Sequence, residues 1–148
     1  MRTRPASRLL ILSPEKRLLL FRFSHHDDAL AGRAYWATPG GGVEEGETFT
    51  EAALRELQEE TGIVRTSPGA EVAQRTFTML LPSGETVIAD ERFFIIHAAS
   101  EETDFSRWTA NEKRVIHHHR WWSLEELTTA TATIYPQALL LDILSAQP

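Results

Sequence analysis

Between Gly40 and Ile63 the chain reads GGGVEEGETFTEAALRELQEETGI, in which Glu44, Glu45, Glu47, Glu51, Glu56, Glu59 and Glu60 face a single arginine, Arg55. Carboxylates at that density suit one task well. They can hold a hard divalent cation, Mg²⁺ or Mn²⁺, that keeps positions open for phosphate oxygens and water. The second half of the stretch is written as a helix. Residues 48–61 contain neither Pro nor Gly and are rich in strong helix formers. Thr48 and Glu51 stand at capping-box spacing, and Gly62 ends the run. At about 100° per residue, Glu56, Glu59 and Glu60 share an arc of roughly 100°, beside one carrying Ala53, Leu54 and Leu57. The expected helix docks by its apolar side and shows carboxylates on another. Like charges at these spacings repel by a few tenths of a kcal/mol per pair, which a cation would offset. The alternative is an acidic face that meets only solvent. Pro39-Gly40-Gly41-Gly42 weighs against it, because glycines let the backbone turn sharply and approach a ligand closely. Gly40, Gly41 and Gly42 are therefore candidate substrate-binding positions.

Gly41, five residues, Glu47, seven residues, then Arg55-Glu56-Leu57-Gln58-Glu59-Glu60-Thr61-Gly62-Ile63 resembles the Nudix box at every fixed position. The resemblance implies hydrolysis of a nucleoside diphosphate linked to another group, dependent on Mg²⁺ or Mn²⁺. It implies Glu59 and Glu60 as the main metal ligands, Glu56 as a third ligand or the base, and the Gly40 carbonyl as a further ligand. Glu47 and Arg55 are implied to be an ion pair bracing the loop against the helix, with Arg55 also holding a glutamate in position. In relatives a further acidic group often comes from a later strand or loop. Here the polar segment offers Glu101, Glu102, Asp104 and Glu112. Glu112 stands nearest the strand that follows, so it is the expected partner of the box carboxylates.

The elements that must position these groups can be read around the box. Arg8–Leu12 and Leu18–Phe23 are apolar runs joined through Pro14, a hairpin signal. His25-His26-Asp27-Asp28 is expected to be an exposed polar loop. Tyr35–Thr38 is a short strand leading into the glycines. Residues 72–81 and 85–98 are strands around Pro82-Ser83-Gly84, and Phe93-Phe94-Ile95-Ile96, apolar on both faces, marks a central strand. Residues 100–112 are expected to be a long loop, and 115–122 a strand in which at most His117 and His119 share a face. Ser123 and Glu126 cap a short helix, and 135–145 form the last one, with Pro136 near its first turn. Phe21, Phe23, Tyr35, Phe77 and Phe93 are either core or base-stacking residues.

Strands and helices in this mixture imply a sheet covered by helices. The resemblance sharpens the fold class to an α/β (α+β mixed) architecture: a mixed, curved sheet sandwiched between helices, in a single domain over 1–148. A length of 148 residues suffices for a proper core. The absence of cysteine excludes disulfides, zinc–thiolate sites and thiol nucleophiles. A net charge of −6 counts against a nucleic-acid partner, though not against phosphate chemistry carried by a metal. No apolar run approaches eighteen residues, and the one after Arg2, Arg4 and Arg8 is too short for a signal peptide. The expected setting is cytoplasmic, the expected partner a small nucleotide-type molecule, with homodimer formation left open. Two alternatives stand beside hydrolysis of a free nucleotide or conjugate: a nucleotide-binding regulator without turnover, and an RNA 5′-end pyrophosphohydrolase.

Overall fold

The computed structural model describes residues 1–147. Eight strands form one mixed sheet, and four helices pack on it: β1 (Thr3–Leu12), β2 (Leu18–Ser24), β3 (Ala34–Ala37), β4 (Gly40–Gly42), α1 (Phe49–Thr61), β5 (Glu71–Leu80), β6 (Thr86–His97), α2 (Ala110–Val115), β7 (Ile116–Trp122), α3 (Leu124–Thr129), β8 (Ile134–Tyr135) and α4 (Gln137–Ser145). The spatial order is β5-β6-β1-β2-β3-β8, with β4 paired to β1 and β7 to β2. β1 runs parallel to β6 over ten residue pairs, and β8 is parallel to β3. The other pairings are antiparallel. β1 pairs with β2 at Leu12 and Leu18 and with β4 from Ala6 to Arg8. The sheet therefore curls open there, and the glycine strand fills the gap.

Period-two alternation along the central strands divides the core in two. Leu9, Ile11, Leu19, Phe21, Phe94 and Ile96 face Ala53 and Leu57 of α1. Leu10, Leu12, Leu18, Leu20, Phe93 and Ile95 face Leu127, Leu140 and Ile143 of α3 and α4. β6 is buried on both faces between β5 and β1, as its unbroken apolar run predicts. The result is a sheet sandwiched between helices.

Three expectations need correction. The segment after Ser100 is not a plain loop: Thr109 and Glu112 form a capping box that starts α2 at Ala110, and the strand begins only at Ile116. Trp108 donates its indole N–H to the Glu60 carbonyl at 2.9 Å, and Phe105 and Trp108 pack on Phe21. His25 is not exposed but 3% accessible, held between Asp28 and Tyr35. Tyr135 lies in β8, so the last helix starts at Gln137, with Pro136 at its N-cap.

Candidate active site

The helix that carries the box is bounded as its sequence requires. Thr48 and Glu51 exchange side-chain and backbone hydrogen bonds at its start, and Gly62 ends it at φ 76°. Its carboxylates, however, are not all on the outside. Glu56 and Glu60 are 8% and 3% accessible and lie on the docked side with Ala53 and Leu57, whereas Leu54 is only partly buried. What admits Glu56 is the glycine strand. A Cβ on Gly41 would come within 2.5 Å of Glu56 Oε1, so the missing side chain is the space the carboxylate occupies. Gly40, at φ 134°, packs so tightly on the Ser7 carbonyl that no side chain fits there either.

Glu112 reaches the same point from α2. One carboxylate oxygen from each of Glu56, Glu60 and Glu112 lies within 4.8 Å of the others. Glu112 Oε1 also accepts the Thr109 N–H at 2.8 Å, which fixes its rotamer. Two other acidic residues of that segment are engaged elsewhere, Glu101 with Arg17 at 2.8 Å and Asp104 with the Ser106 N–H at 2.9 Å, and Glu102 is not part of the cluster. Glu59 stands outside the trio, 44% exposed, with one oxygen 3.3 Å from Arg55.

The electrostatics of the trio are those of a site built for a cation. Burial, followed by the hydrogen bond and charge of Glu112 and the charge of Glu56, pushes Glu60 up to about 11. Glu60 Oε2 is buried without a hydrogen-bond partner. Burial also raises Glu56, against the charge and hydrogen bond of Arg55. Burial opposes ionisation of Glu112 too, yet hydrogen bonds from Glu60 and from Thr109 bring it below the ordinary value. A divalent cation would relieve this crowding, and an orphaned carboxylate oxygen is the donor it would take. The residues fit a metal.

Arg55 organises the rest. Its Nε and Nη2 form a fork on the two Glu47 oxygens at 2.8 and 3.0 Å, and Nη2 also reaches the Gly42 carbonyl at 3.0 Å. Nη1 holds Glu56 at 2.9 Å. One guanidinium thus ties the helix, the loop and the glycine strand together.

On the far side of that strand lies a cleft of about 680 Å³, lined among others by Arg8, Phe23, Arg33, Tyr35, Arg75, Phe77 and Glu91. A Cβ on Gly42 would meet the Arg4 guanidinium at 3.1 Å, whereas one on Gly41 meets Glu56. The strand thus separates carboxylates from arginines. Glu91 is 2% accessible and gives one oxygen each to Arg8 and Arg75, at 2.8 and 2.9 Å. Burial works against its charge, but the two arginines outweigh that and hold it ionised. Of the aromatic candidates, Phe23, Tyr35 and Phe77 line the cleft, while Phe21 and Phe93 are buried in the core. Sequence reading missed Arg8, Arg75 and Glu91. An isolated Arg or Glu in a strand carries no local signal, and only the pairing of β1 and β5 on either side of β6 brings them together.

A helix-flanked mixed sheet, with clustered carboxylates across a glycine strand from a cationic cleft, defines a class of small α+β proteins suited to anionic ligands. The NUDIX domain model matches residues 2–141, and the chain belongs to the Nudix hydrolase family, whose members act on phosphoanhydride bonds. It is 27% identical over 142 residues to an RNA pyrophosphohydrolase of Novosphingobium aromaticivorans, covering 84% of this chain and 80% of that protein. It is 32% identical over 68 residues to an uncharacterized Nudix hydrolase, YvcI, of Bacillus subtilis, a match spanning 46% of this chain and 41% of the relative. Its fold is similar to that of a MutT protein from Methanosarcina mazei, with a TM-score of 0.69, 26% identity and coverage of 97% and 91% of the two chains.

Substituting Glu112 by Gln keeps the oxygen that caps α2 and removes only the charge. The expected result is at least a tenfold loss of phosphoanhydride hydrolysis with an unchanged melting temperature, read by steady-state kinetics and thermal unfolding. Unaltered kinetics would return Glu112 to a purely capping role.

Proposed function

We propose that the chain is a divalent-metal-dependent pyrophosphohydrolase acting on a nucleoside diphosphate linked to another group. The observation that carries this is the meeting of Glu56, Glu60 and Glu112 within 4.8 Å, beside a glycine strand that opens on its other side to the cationic cleft. Mg²⁺ or Mn²⁺ held by Glu56, Glu60 and Glu112, with Glu59 and the Gly40 carbonyl as further ligands, would neutralise pyrophosphate charge and lower the pKa of water. Glu56, Glu59, Glu60, Arg55 and Glu112 form the proposed catalytic set. Gly40, Gly41 and Gly42 offer bare backbone against which a diphosphate can lie. Arg8 and Arg75, pinned by Glu91, bring positive charge to the cleft in a fixed orientation. Phe23, Tyr35 and Phe77 give the cleft an aromatic lining suited to a base, with the Arg75 guanidinium over the Phe77 ring, 4.1 Å from its centre.

The test is a phosphate-release screen over nucleoside triphosphates, nucleoside diphosphate conjugates and 5′-triphosphorylated RNA. Mg²⁺ or Mn²⁺ should support turnover and EDTA should abolish it. Turnover that persists in chelator would sink the metal requirement, and tight binding without turnover would favour the regulator. A second reading, action on RNA 5′ ends, draws support from the similarity to the Novosphingobium protein. The net charge of −6 weighs against it. Preference for the triphosphorylated RNA over free nucleotides would decide for it.

A further inference from the structure

The residues after β2 build a second arrangement that the hydrolytic chemistry does not use. His25 is buried, with Nδ1 2.8 Å from Asp28 Oδ2 and Nε2 3.0 Å from the Tyr35 hydroxyl. The loop is closed around it. Its backbone N–H donates to the Arg33 carbonyl at 3.0 Å, and its carbonyl accepts from Gly32 at 2.8 Å. The other Asp28 oxygen accepts the Leu30 N–H at 2.8 Å. Ala29 donates to the Pro82 carbonyl at 3.0 Å, which anchors the loop to the β5–β6 turn. Tyr35 stacks on Phe23, with centroids 5.5 Å apart and planes at 18°, and lines the cleft.

These contacts favour one arrangement of hydrogens. A carboxylate only accepts, so the imidazole carries its hydrogen on Nδ1, facing Asp28. The hydrogen bond from His25 holds Asp28 below the ordinary carboxylate value, and burial raises the Tyr35 phenol above its own. With that hydrogen on Nδ1, Nε2 is the nitrogen left to accept, and the Tyr35 hydroxyl at 3.0 Å donates to it. The phenol has one hydrogen, and the relay has taken it. What remains for a ligand is an acceptor oxygen. The arginines around it, Arg8, Arg33 and Arg75, are all donors.

We propose that Asp28 and His25 lock Tyr35 as a hydrogen-bond acceptor in the cleft, making Tyr35 a specificity-determining residue that selects nucleobases with an exocyclic amine, as in adenine or cytosine, over those with a carbonyl there. This rests on the nucleotide reading above and deepens it. A site built to accept an N–H discriminates strongly against an analogue that lacks it, because the buried acceptor is then left unpaired. Asp28 and His25 touch no ligand in this scheme. They are positioning residues.

The experiment measures equilibrium binding of four probes to the full chain: ATP, purine riboside 5′-triphosphate (ATP without the 6-amine), ITP and UTP. For the unaltered chain, ATP should bind at least tenfold more tightly than each of the other three. Tyr35→Phe should collapse these ratios to within about twofold while phosphate-driven binding persists. Asp28→Asn is the sharper variant, because an amide N–H facing Nδ1 moves the imidazole hydrogen to Nε2 and turns the Tyr35 hydroxyl outward as a donor. It should shift preference toward ITP and UTP, a reversal that a merely structural role for Asp28 would not produce. If Tyr35→Phe fails to fold, the unaltered chain and Asp28→Asn decide the matter. Comparable binding of all four probes by the unaltered chain overturns the proposal alone. An Asp28→Asn variant that keeps the original ratios does the same. Failure to bind any of the four overturns both the proposal and the nucleotide reading beneath it.

Discussion

Replacing Glu60 by Gln should remove metal-dependent hydrolysis and, in chelator, make the protein more stable. Both effects follow from the same burial. Loss of the carboxylate charge weakens the cation's hold, with an expected rate loss of roughly 10²–10³-fold, the scale on which a preorganised electrostatic contact acts. The stability effect has a definite sign. In the folded chain Glu60 binds its proton up to about pH 11, whereas in the unfolded chain it releases it near the ordinary carboxyl value. Between those limits the folded state holds a proton that the unfolded state has lost, so each rise in pH favours unfolding. That contribution is fully favourable below the ordinary value and fades as pH climbs toward 11. Glutamine does not titrate. The gap in melting temperature between the variant and the wild type should therefore widen from pH 5 to pH 9 in EDTA. Saturating Mg²⁺ should close it by stabilising only the wild type. Equal pH profiles for the two proteins would show that Glu60 is not the proton-holding member of the trio.

Arg55→Ala should behave in the opposite way and lose stability together with rate. The guanidinium is the shared partner of Glu47, Glu56 and the Gly42 carbonyl. Its removal leaves two carboxylates with little solvent and no counter-charge. Breaking a buried pair from one side typically costs 3–5 kcal/mol. Arg55 is partly accessible, so the lower end, about 3 kcal/mol, is the better expectation, corresponding to a fall in melting temperature of about 6–12 °C. The rate should fall as well, because Glu56 loses the contact that aims it past Gly41. Arg55→Lys restores the charge but not the planar fork, and should recover less than half of either loss. A melting temperature within 2 °C of wild type for Arg55→Ala would show that the brace is unnecessary.

How much of this was legible in the chain can be argued from particular residues. The box helix was, down to its ends, because Thr48, Glu51 and Gly62 act through bonds made within a few residues of themselves. The central position of β6 was legible for a similar reason, since a run apolar on both faces has nowhere else to go. The short helix α2 carries a local signal too, since Thr109-Ala110-Asn111-Glu112 has the same T-x-x-E spacing as the box helix, obscured by the polar residues around it. As the end of a loop, Glu112 is expected beside the box for its nearness to the following strand; in the structure it is α2 that carries it there.

His25 shows the opposite limit. As one of four polar residues in a row it reads as solvated loop, and burial came from Tyr35, ten positions on, and from a turn some fifty residues further. Glu59 and Glu60 are adjacent and chemically identical, yet one is buried with Glu112 and the other leans out toward Arg55. The helical period separates them: Glu60 stands three residues beyond Leu57 and seven beyond Ala53, on the docked side, whereas Glu59 is turned away from it. The sequence by itself determined the helix, its carboxylates and the family's box, since capping, propensity and spacing are local. Which carboxylates meet, and what faces them across the glycine strand, only the tertiary structure decided. Those contacts join strands and helices far apart in sequence, and hydrophobic packing of the sheet, not the polar residues themselves, sets where they lie.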